Sequence, residues 1–246
     1  MTLAQHKIGK FIMSLFPDRN LFIVTSALRP NIGVVGFDDR VVQTRKTLEI
    51  LKQKVPNDYI LFVDGSPNDL TKEPFMSEVM ELCDGVMLMY DNEMVKNFAG
   101  SGRKSEAETA LLFLTLLTVK QKLQPNKFKR IFKFSARTYL QDGFDIKAYD
   151  DLFGKYVFKK RIPSWLPKQK QEQTTDNLFI TRMFSMCPSL VDNYLETLQK
   201  NLDDIIRLGI DTEHAHFKNI DKKYVVEFDE LHCMGIMAGT GAIETY

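Results

Sequence analysis

Tyr59-Ile-Leu-Phe-Val63-Asp64-Gly-Ser-Pro67 is a run of five apolar residues halted by an acid, a glycine, a serine and a proline. A short apolar run without polar alternation reads as a strand buried on both faces, and the residues that follow are turn formers. The same signature recurs at Asn20-Leu-Phe-Ile-Val-Thr-Ser26 and at Gly85-Val-Met-Leu-Met-Tyr90, which stops at Asp91-Asn92. Between these runs the apolar period becomes helical. Val41, Thr44, Leu48 and Leu51 mark a helix over 41–54, and Phe75, Met76, Val79, Met80 and Leu82 mark a shorter one over 73–83. Strands alternating with helices at crossover length predict βαβ units and a mostly parallel sheet flanked by helices.

Further along, Ser105-Glu-Ala-Glu108 has capping-box form and opens a helix to about Leu123, apolar on nearly every face. Lys129-Arg-Ile-Phe-Lys-Phe-Ser135 then predicts a fourth strand. After Tyr139 the pattern loosens into a decorated second half. Asp142-Gly-Phe-Asp145 reads as a turn, 148–153 as a turn of helix and Tyr156-Val-Phe158 as a short strand. The stretch 163–176, with Pro163, Trp165, Pro167 and a series of Lys and Gln, reads as an excursion of the lid type. A strand is expected over 178–184. Pro188 then opens a helix whose stripe is Leu190, Tyr194, Leu195, Leu198, Leu202, Ile205 and Ile206, ended by Gly209. The segments 223–228 and 231–238 read as a final hairpin across the sheet.

The chain has 246 residues, of which 44% are hydrophobic and 26% charged, enough for one globular domain with a substantial core. Thirty-three Lys and Arg against 32 Asp and Glu leave a net charge of +1, so nothing draws the whole molecule to nucleic acid or an anionic membrane. Any anion site is local. Cys83, Cys187 and Cys233 are scattered and in no metal-ligand spacing, which argues for a reducing, cytoplasmic setting over a disulfide framework or zinc site. The first twenty residues lack the form of a secretory signal, and the longest apolar run, 110–119, is too short for a membrane span.

Ligands of open α/β sheets collect where strands end, which directs attention to Thr25, Ser26 and Arg29 after the first strand, Asp64 and Ser66 after the second, Asp91 after the third, and Ser135 and Arg137 after the fourth. Asn97-Phe-Ala-Gly-Ser-Gly-Arg-Lys-Ser105 ends on a helix start, where free amides, Arg103 and Lys104 suit a phosphate. It lacks Walker spacing, and no G-x-G-x-x-G follows the first strand. Thr212-Glu-His-Ala-His216 collects metal or acid–base groups without H-E-x-x-H spacing, and His232 reads as packed within a strand. No G-x-S-x-G elbow is present.

The order of motifs resembles a group of viral and bacterial glycosyltransferase-like proteins, similar to the lipopolysaccharide-type, GT-A-like transferases. The likeness runs through Thr25-Ser-Ala-Leu-Arg-Pro30, Gln43-Thr-Arg-Lys-Thr-Leu48, Phe62-Val-Asp-Gly-Ser66, Lys104-Ser-Glu-Ala-Glu108, and Lys133-Phe-Ser-Ala-Arg137-Thr-Tyr-Leu140, where relatives tend to show K-x-S-G-R-Y. It closes on Thr181-Arg182 and Glu213-His214, spanning most of residues 20–240. The resemblance implies a nucleotide-sugar donor on a 20–140 half and a glycan acceptor beside a 141–246 half, with a lid at 161–177, all in one α/β domain. It implies Arg29, Arg45, Lys104, Lys133 and Arg137 as cations for the donor diphosphate, with Thr25, Ser26, Asp64, Ser66, Ser135, Thr181 and Arg182 completing the substrate site. Glu213 or Asp91 is implied as the acceptor's base. The D-x-D that usually holds Mn²⁺ or Mg²⁺ in such enzymes is absent, and Ser135-Ala-Arg137 stands in the comparable place. Either Arg137 replaces the metal as a fixed cation, or an ion is held by residues such as Asp64, Asp142 or His214. Two other readings stay open: a nucleoside-phosphate processing enzyme using the 100–105 loop, and a non-catalytic interaction module. A cytoplasmic location is expected, the host's own if the protein is viral.

Overall fold

The computed structural model describes residues 19–30, 33–236 and 242–246; the leader reading up to residue 18 and positions 237–238 of the expected tail strand fall outside these. In chain order come β1 (Leu21–Ser26), α1 (Phe37–Lys54), β2 (Tyr59–Asp64), α2 (Phe75–Leu82) and β3 (Gly85–Leu88). Then follow α3 (Glu93–Gly100), α4 (Lys104–Thr118) with a π-helical turn at Val119–Leu123, β4 (Ile131–Ser135) and β5 (Thr138–Leu140). The second half contains β6 (Tyr156–Lys159), β7 (Ile162–Pro163), α5 (Lys168–Gln173), β8 (Asn177–Leu178) and β9 (Met183–Met186). It ends with α6 (Val191–Leu208), α7 (Thr212–Asn219), β10 (Val225–Phe228), β11 (Cys233–Ile236) and β12 (Ile243–Thr245).

Seven strands form the main sheet in the order β10-β6-β9-β4-β1-β2-β3. All neighbours are parallel except β9, which runs antiparallel between β4 and β6. The apolar strand runs are explained by burial on both faces. Leu21, Ile23, Leu61, Val63 and Ile131 point to one layer, where Leu112 and Leu116 of α4 and Leu195 and Leu198 of α6 cover them. Phe22, Val24, Ile60, Phe62 and Phe132 point to the other, under Leu48 and Leu51 of α1 and Met76 and Val79 of α2. Phe22 stacks on Phe132 at 4.6 Å across adjacent strands, and Phe158 stacks on Phe184 at 4.9 Å. Each such fully buried ring contributes about 1.5–3 kcal/mol of transfer free energy.

The mostly parallel α/β layering read from the alternation of runs is the observed one. Five local expectations are corrected. The segment 178–184 is not one strand: Asn177–Leu178 pairs with β7 while Met183–Met186 joins β4 and β6, so the run divides into β8 and β9. The tail is not a hairpin, because β10 joins β6 in the main sheet while β11 lies antiparallel between β5 and β12 in a second, three-stranded sheet. The capping box does not form, because α4 begins at Lys104 with Arg103 as its N-cap and Glu108 is engaged by Lys133 instead. Finally, Ile206 leaves the buried stripe of α6 and is 50% exposed, and His232 sits half-exposed at positive φ (51°) just before β11.

Cys83, Cys187 and Cys233 are buried. Among the described residues no helix is long and apolar enough to cross a membrane. The segment 161–177 is held by β7–β8 pairing and by Ser164 Oγ on His214 Nε2 (2.8 Å), the Trp165 indole N–H on Asp211 (3.0 Å) and Lys170 Nζ on the Gly209 carbonyl (2.7 Å).

Candidate functional site

The sheet order places β1 between β2 and β4. The crossover from β1 to β2 carries α1 over one face, whereas the crossover from β3 to β4 carries α3 and α4 over the other. Such a reversal leaves a crevice at the carboxyl ends of the two central strands. The pairings Ser26↔Asp64 and Thr25↔Ser135 bring the three strand ends level. A cavity of about 370 Å³ opens there.

Thr25, Ser26 and Ala27 form its floor with Ser135, Ala136 and Arg137. Arg40 and Thr44, one helical turn apart on α1, wall one side. Lys104, Ala107, Glu108 and Leu111 of α4 wall the other. Gly65 completes the rim, where a Cβ would come within 3.1 Å of the Leu111 side chain.

The cavity's charge is predominantly positive. Arg40 is 5% exposed, with Nε donating to the Val35 carbonyl (2.9 Å) and Nη1 to the Ala27 carbonyl (3.0 Å). Burial pushes its pKa below the ordinary arginine value, a shift the Asp64 carboxylate opposes. Arg137 is pushed down to about 10 by burial and by the neighbouring charges of Arg40 and Arg182, against the pull of Glu108. Arg137 and Arg182 both direct Nη1 at the Ile236 carbonyl, at 3.4 and 3.3 Å.

Beside the arginines lies a second charged group. Lys133, in mid-β4 and 1% exposed, donates to Glu108 (2.9 Å) and to the Thr181 carbonyl (2.8 Å). Burial alone raises a carboxyl pKa, yet Lys133, Lys104 and Arg182 together hold Glu108 down to about 2. Glu213 accepts from the Thr181 hydroxyl (3.3 Å) and shifts the opposite way, raised by burial and by the charges of Glu108 and Asp211. The two carboxyls are thus driven in opposite directions.

The structure thus brings together Thr25, Ser26, Lys104, Ser135 and Arg137 on the cavity wall, with Lys133, Thr181, Arg182 and Glu213 joined to it by the contacts above. Others stand apart. Arg29 lies over the Phe37 ring (3.7 Å) and pairs with Glu73 (2.6 Å), while Arg45 pairs with Glu78 (2.5 Å) between α1 and α2. Asp64 accepts the amides of Leu28 (2.9 Å) and Ser66 (2.8 Å), and Ser66 accepts the Arg29 amide (2.9 Å); this pair builds the loop behind the cavity. Asp91 is exposed in the turn after β3 and is not on the wall. Arg103 pairs with Glu106 (3.0 Å) and faces Phe98, so of the glycine-rich loop only Ala99, Gly102 and Lys104 reach the cavity.

Sequence reading missed Arg40, Thr44 and Glu108 as site residues. The first two follow no strand and were legible only as helix positions, although a buried arginine at helical spacing is itself a signal.

The donor set does not fit Mn²⁺ or Mg²⁺. Asp64 is held in the loop by one backbone amide on each oxygen and Glu108 is paired with Lys133. His214 is fully buried with Nδ1 on Asp211 (2.6 Å) and Nε2 on Ser164, and Asp142 is fully exposed and paired with Lys54 (2.8 Å). Among the described residues no three His, Cys, Asp or Glu side chains are grouped to hold an ion.

No family profile and no curated protein matches the sequence. Solved structures do match. The mannosyltransferase Ktr4p from S. cerevisiae superposes with TM-score 0.53 at 10% identity, covering 88% of this chain and 70% of that one. Core-mannan synthase A from Aspergillus fumigatus, in an Mn/GDP form, gives 0.50 at 10% identity over 86% and 73%. The galactosyltransferase LgtC, in complex with donor and acceptor sugar analogs, gives 0.50 at 7% identity over 85% and 72%. Likeness at these identities speaks of the fold, and the fold of this chain is that of the GT-A-like glycosyltransferases.

Proposed function

We propose that this protein transfers a sugar from a nucleotide-sugar donor to a hydroxyl of a glycan or lipopolysaccharide-type acceptor, with the donor diphosphate in the cavity at the ends of β1 and β4. The observation that carries this reading is the placement of Arg40, Arg137 and Lys104 around one cavity at the sheet's switch point. The fold likeness supports it, since LgtC holds donor and acceptor analogs and core-mannan synthase A holds GDP.

In this reaction the acceptor oxygen bonds to the anomeric carbon as the bond from that carbon to the phosphate oxygen breaks. The nucleoside diphosphate leaves with the electron pair, and the buried guanidiniums meet the charge it gains. The acceptor's proton passes to Glu213, whose raised pKa brings it nearer neutrality, where a general base works best.

A thermal-shift panel of UDP, GDP, CMP and ATP, run with Mn²⁺ and with EDTA, tests the reading. One sugar-carrier nucleotide is expected to raise the melting temperature, because a ligand at about 100 times its Kd adds about 2.7 kcal/mol of apparent stability. The matching nucleotide sugar should then release its nucleotide when acceptor glycans are added. A flat panel in both buffers removes the reading.

A further inference from the structure

We infer that Arg40, Arg137 and Arg182, with the Thr44 hydroxyl, form a metal-free pyrophosphate site in which protein cations do the work of a divalent ion. The inference rests on the transferase reading and specifies how that site takes its substrate.

Its first support is the way the chain disposes of its other guanidiniums. Arg19, Arg29, Arg45, Arg103, Arg161 and Arg207 each have a carboxylate partner. Arg130 has none but donates to Ser185, to the Leu152 carbonyl and to the Lys155 carbonyl, at 2.7–3.0 Å. Arg40, Arg137 and Arg182 differ. Among the described residues none has a carboxylate within ion-pair distance, and two of them share the single Ile236 carbonyl. Arg40 and Arg182 both lower the pKa of Arg137. Asp64 and Glu108 offset this repulsion only from beyond ion-pair distance, and like charges gathered in a partly buried site without a directly paired counter-ion are costly, so a fold that keeps them together leaves room for an anion.

Thr44 supplies a second, independent observation. It lies one turn after Arg40 on the cavity wall, is 1% exposed, and its Oγ1 has no hydrogen-bond partner. A buried hydroxyl without a partner costs the desolvation of a polar group, and the cavity it faces is where a ligand oxygen removes that cost. Its neighbour Thr47, by contrast, donates to carbonyls of Gln43 and Ala136. The anion implied carries more than one charge and several acceptor oxygens, since the donors approach from α1 and from the segment after β4. Two linked phosphates have that chemistry.

The resemblance drawn from the sequence sets this position against the D-x-D of related transferases. Ser135-Ala136-Arg137 stands there, and the nearby carboxylates are already engaged. Fixed guanidiniums neutralise the leaving group without a metal, and their charge persists over the physiological pH range.

Calorimetric titration of the intact chain with inorganic pyrophosphate, in EDTA and in Mn²⁺, tests the inference. Binding is expected in EDTA, with affinity changing less than about threefold when Mn²⁺ replaces the chelator and falling as salt is raised. Arg137→Ala should weaken it about tenfold or more, and Thr44→Val, a near-isosteric change, by about threefold to tenfold. If Arg137→Ala does not fold, Arg137→Lys keeps the charge but loses the fork and should still weaken binding. Arg45→Ala, outside the cavity, should change nothing. Binding that appears only with Mn²⁺ overturns the arginine site while leaving the transferase reading in place. So does unchanged affinity in folded Arg137 and Thr44 variants. Failure of pyrophosphate to bind in either buffer overturns the site, and if the nucleotide panel is flat as well, both readings fall.

Discussion

At the scale of single residues, the pair most tightly specified is Lys133 with Glu108. Lys133 is a charged residue in the middle of a buried strand, where its chain lies among apolar neighbours and its ammonium needs two acceptors. Removing Lys133 strands Glu108 and the Thr181 carbonyl. Lys133→Met should therefore cost about 2–3 kcal/mol, somewhat less than a fully buried pair because the Glu108 side chain is 31% exposed. Adding Glu108→Gln should recover part of that loss in urea unfolding, and purely additive effects would show that the two do not interact. Glu213 differs because its carboxyl is raised while that of Glu108 is lowered. Glu213→Gln is expected to lower kcat about 100-fold with donor affinity unchanged, and to erase the acid limb of the kcat profile, which its raised pKa places above that of an ordinary glutamate. Retained turnover in the folded variant would return Glu213 to a purely structural role.

At the scale of elements, α1 serves two functions along its length. Arg40 and Thr44 face the cavity, Leu48 and Leu51 face the sheet, and Arg45 on the outer side reaches Glu78 of α2. Because both partners of that last pair are well exposed, Arg45→Ala should cost no more than about 1 kcal/mol and leave nucleotide binding intact. Loss of nucleotide affinity in that variant would place Arg45 back among the donor contacts. The end of α6 gives an independent test. Gly209 adopts φ 59°, and its carbonyl accepts from Lys170 Nζ of α5. Only glycine enters that left-handed region without penalty, so Gly209→Ala should destabilise the fold by about 1 kcal/mol as read by melting temperature. The sequence marked this helix stop clearly, and it marked β1, β2 and β4, because both signals are local. It placed a capping box at Ser105 and Glu108 that does not form, since the local pattern competes with a lysine that only the fold brings into reach.

At the scale of the whole molecule, stability should fall on mild acidification through His216. Its Nδ1–H donates to the Thr212 carbonyl (2.8 Å) and its Nε2 accepts from the Tyr194 hydroxyl (2.5 Å), so the fold holds the neutral ring. Burial depresses its pKa from 6.5 to about 4. Between those values the unfolded chain binds the proton and the folded chain does not, so the contribution is fully present above about pH 6.5 and is lost as pH falls through about 4. Glu108, lowered from 4.5 to about 2, acts the same way in the window below. Urea unfolding across pH 4 to 7 should show that slope, and His216→Gln should flatten it; an unchanged slope would assign the acid sensitivity elsewhere. The sequence by itself determined the alternation of strands and helices, the polar residues ending each strand, and the absence of D-x-D. Those features depend on neighbours a few residues apart, where apolar period and turn chemistry act directly. The tertiary structure alone decided that Arg40 and Arg137, drawn from α1 and from the segment after β4, share one cavity with Thr44 and that Arg182, before β9, meets Arg137 at the Ile236 carbonyl, while Arg29, Arg45, Asp64 and Asp142 are consumed by other partners. Convergence of charges from segments this far apart is a property of the packed sheet, and no local pattern encodes it.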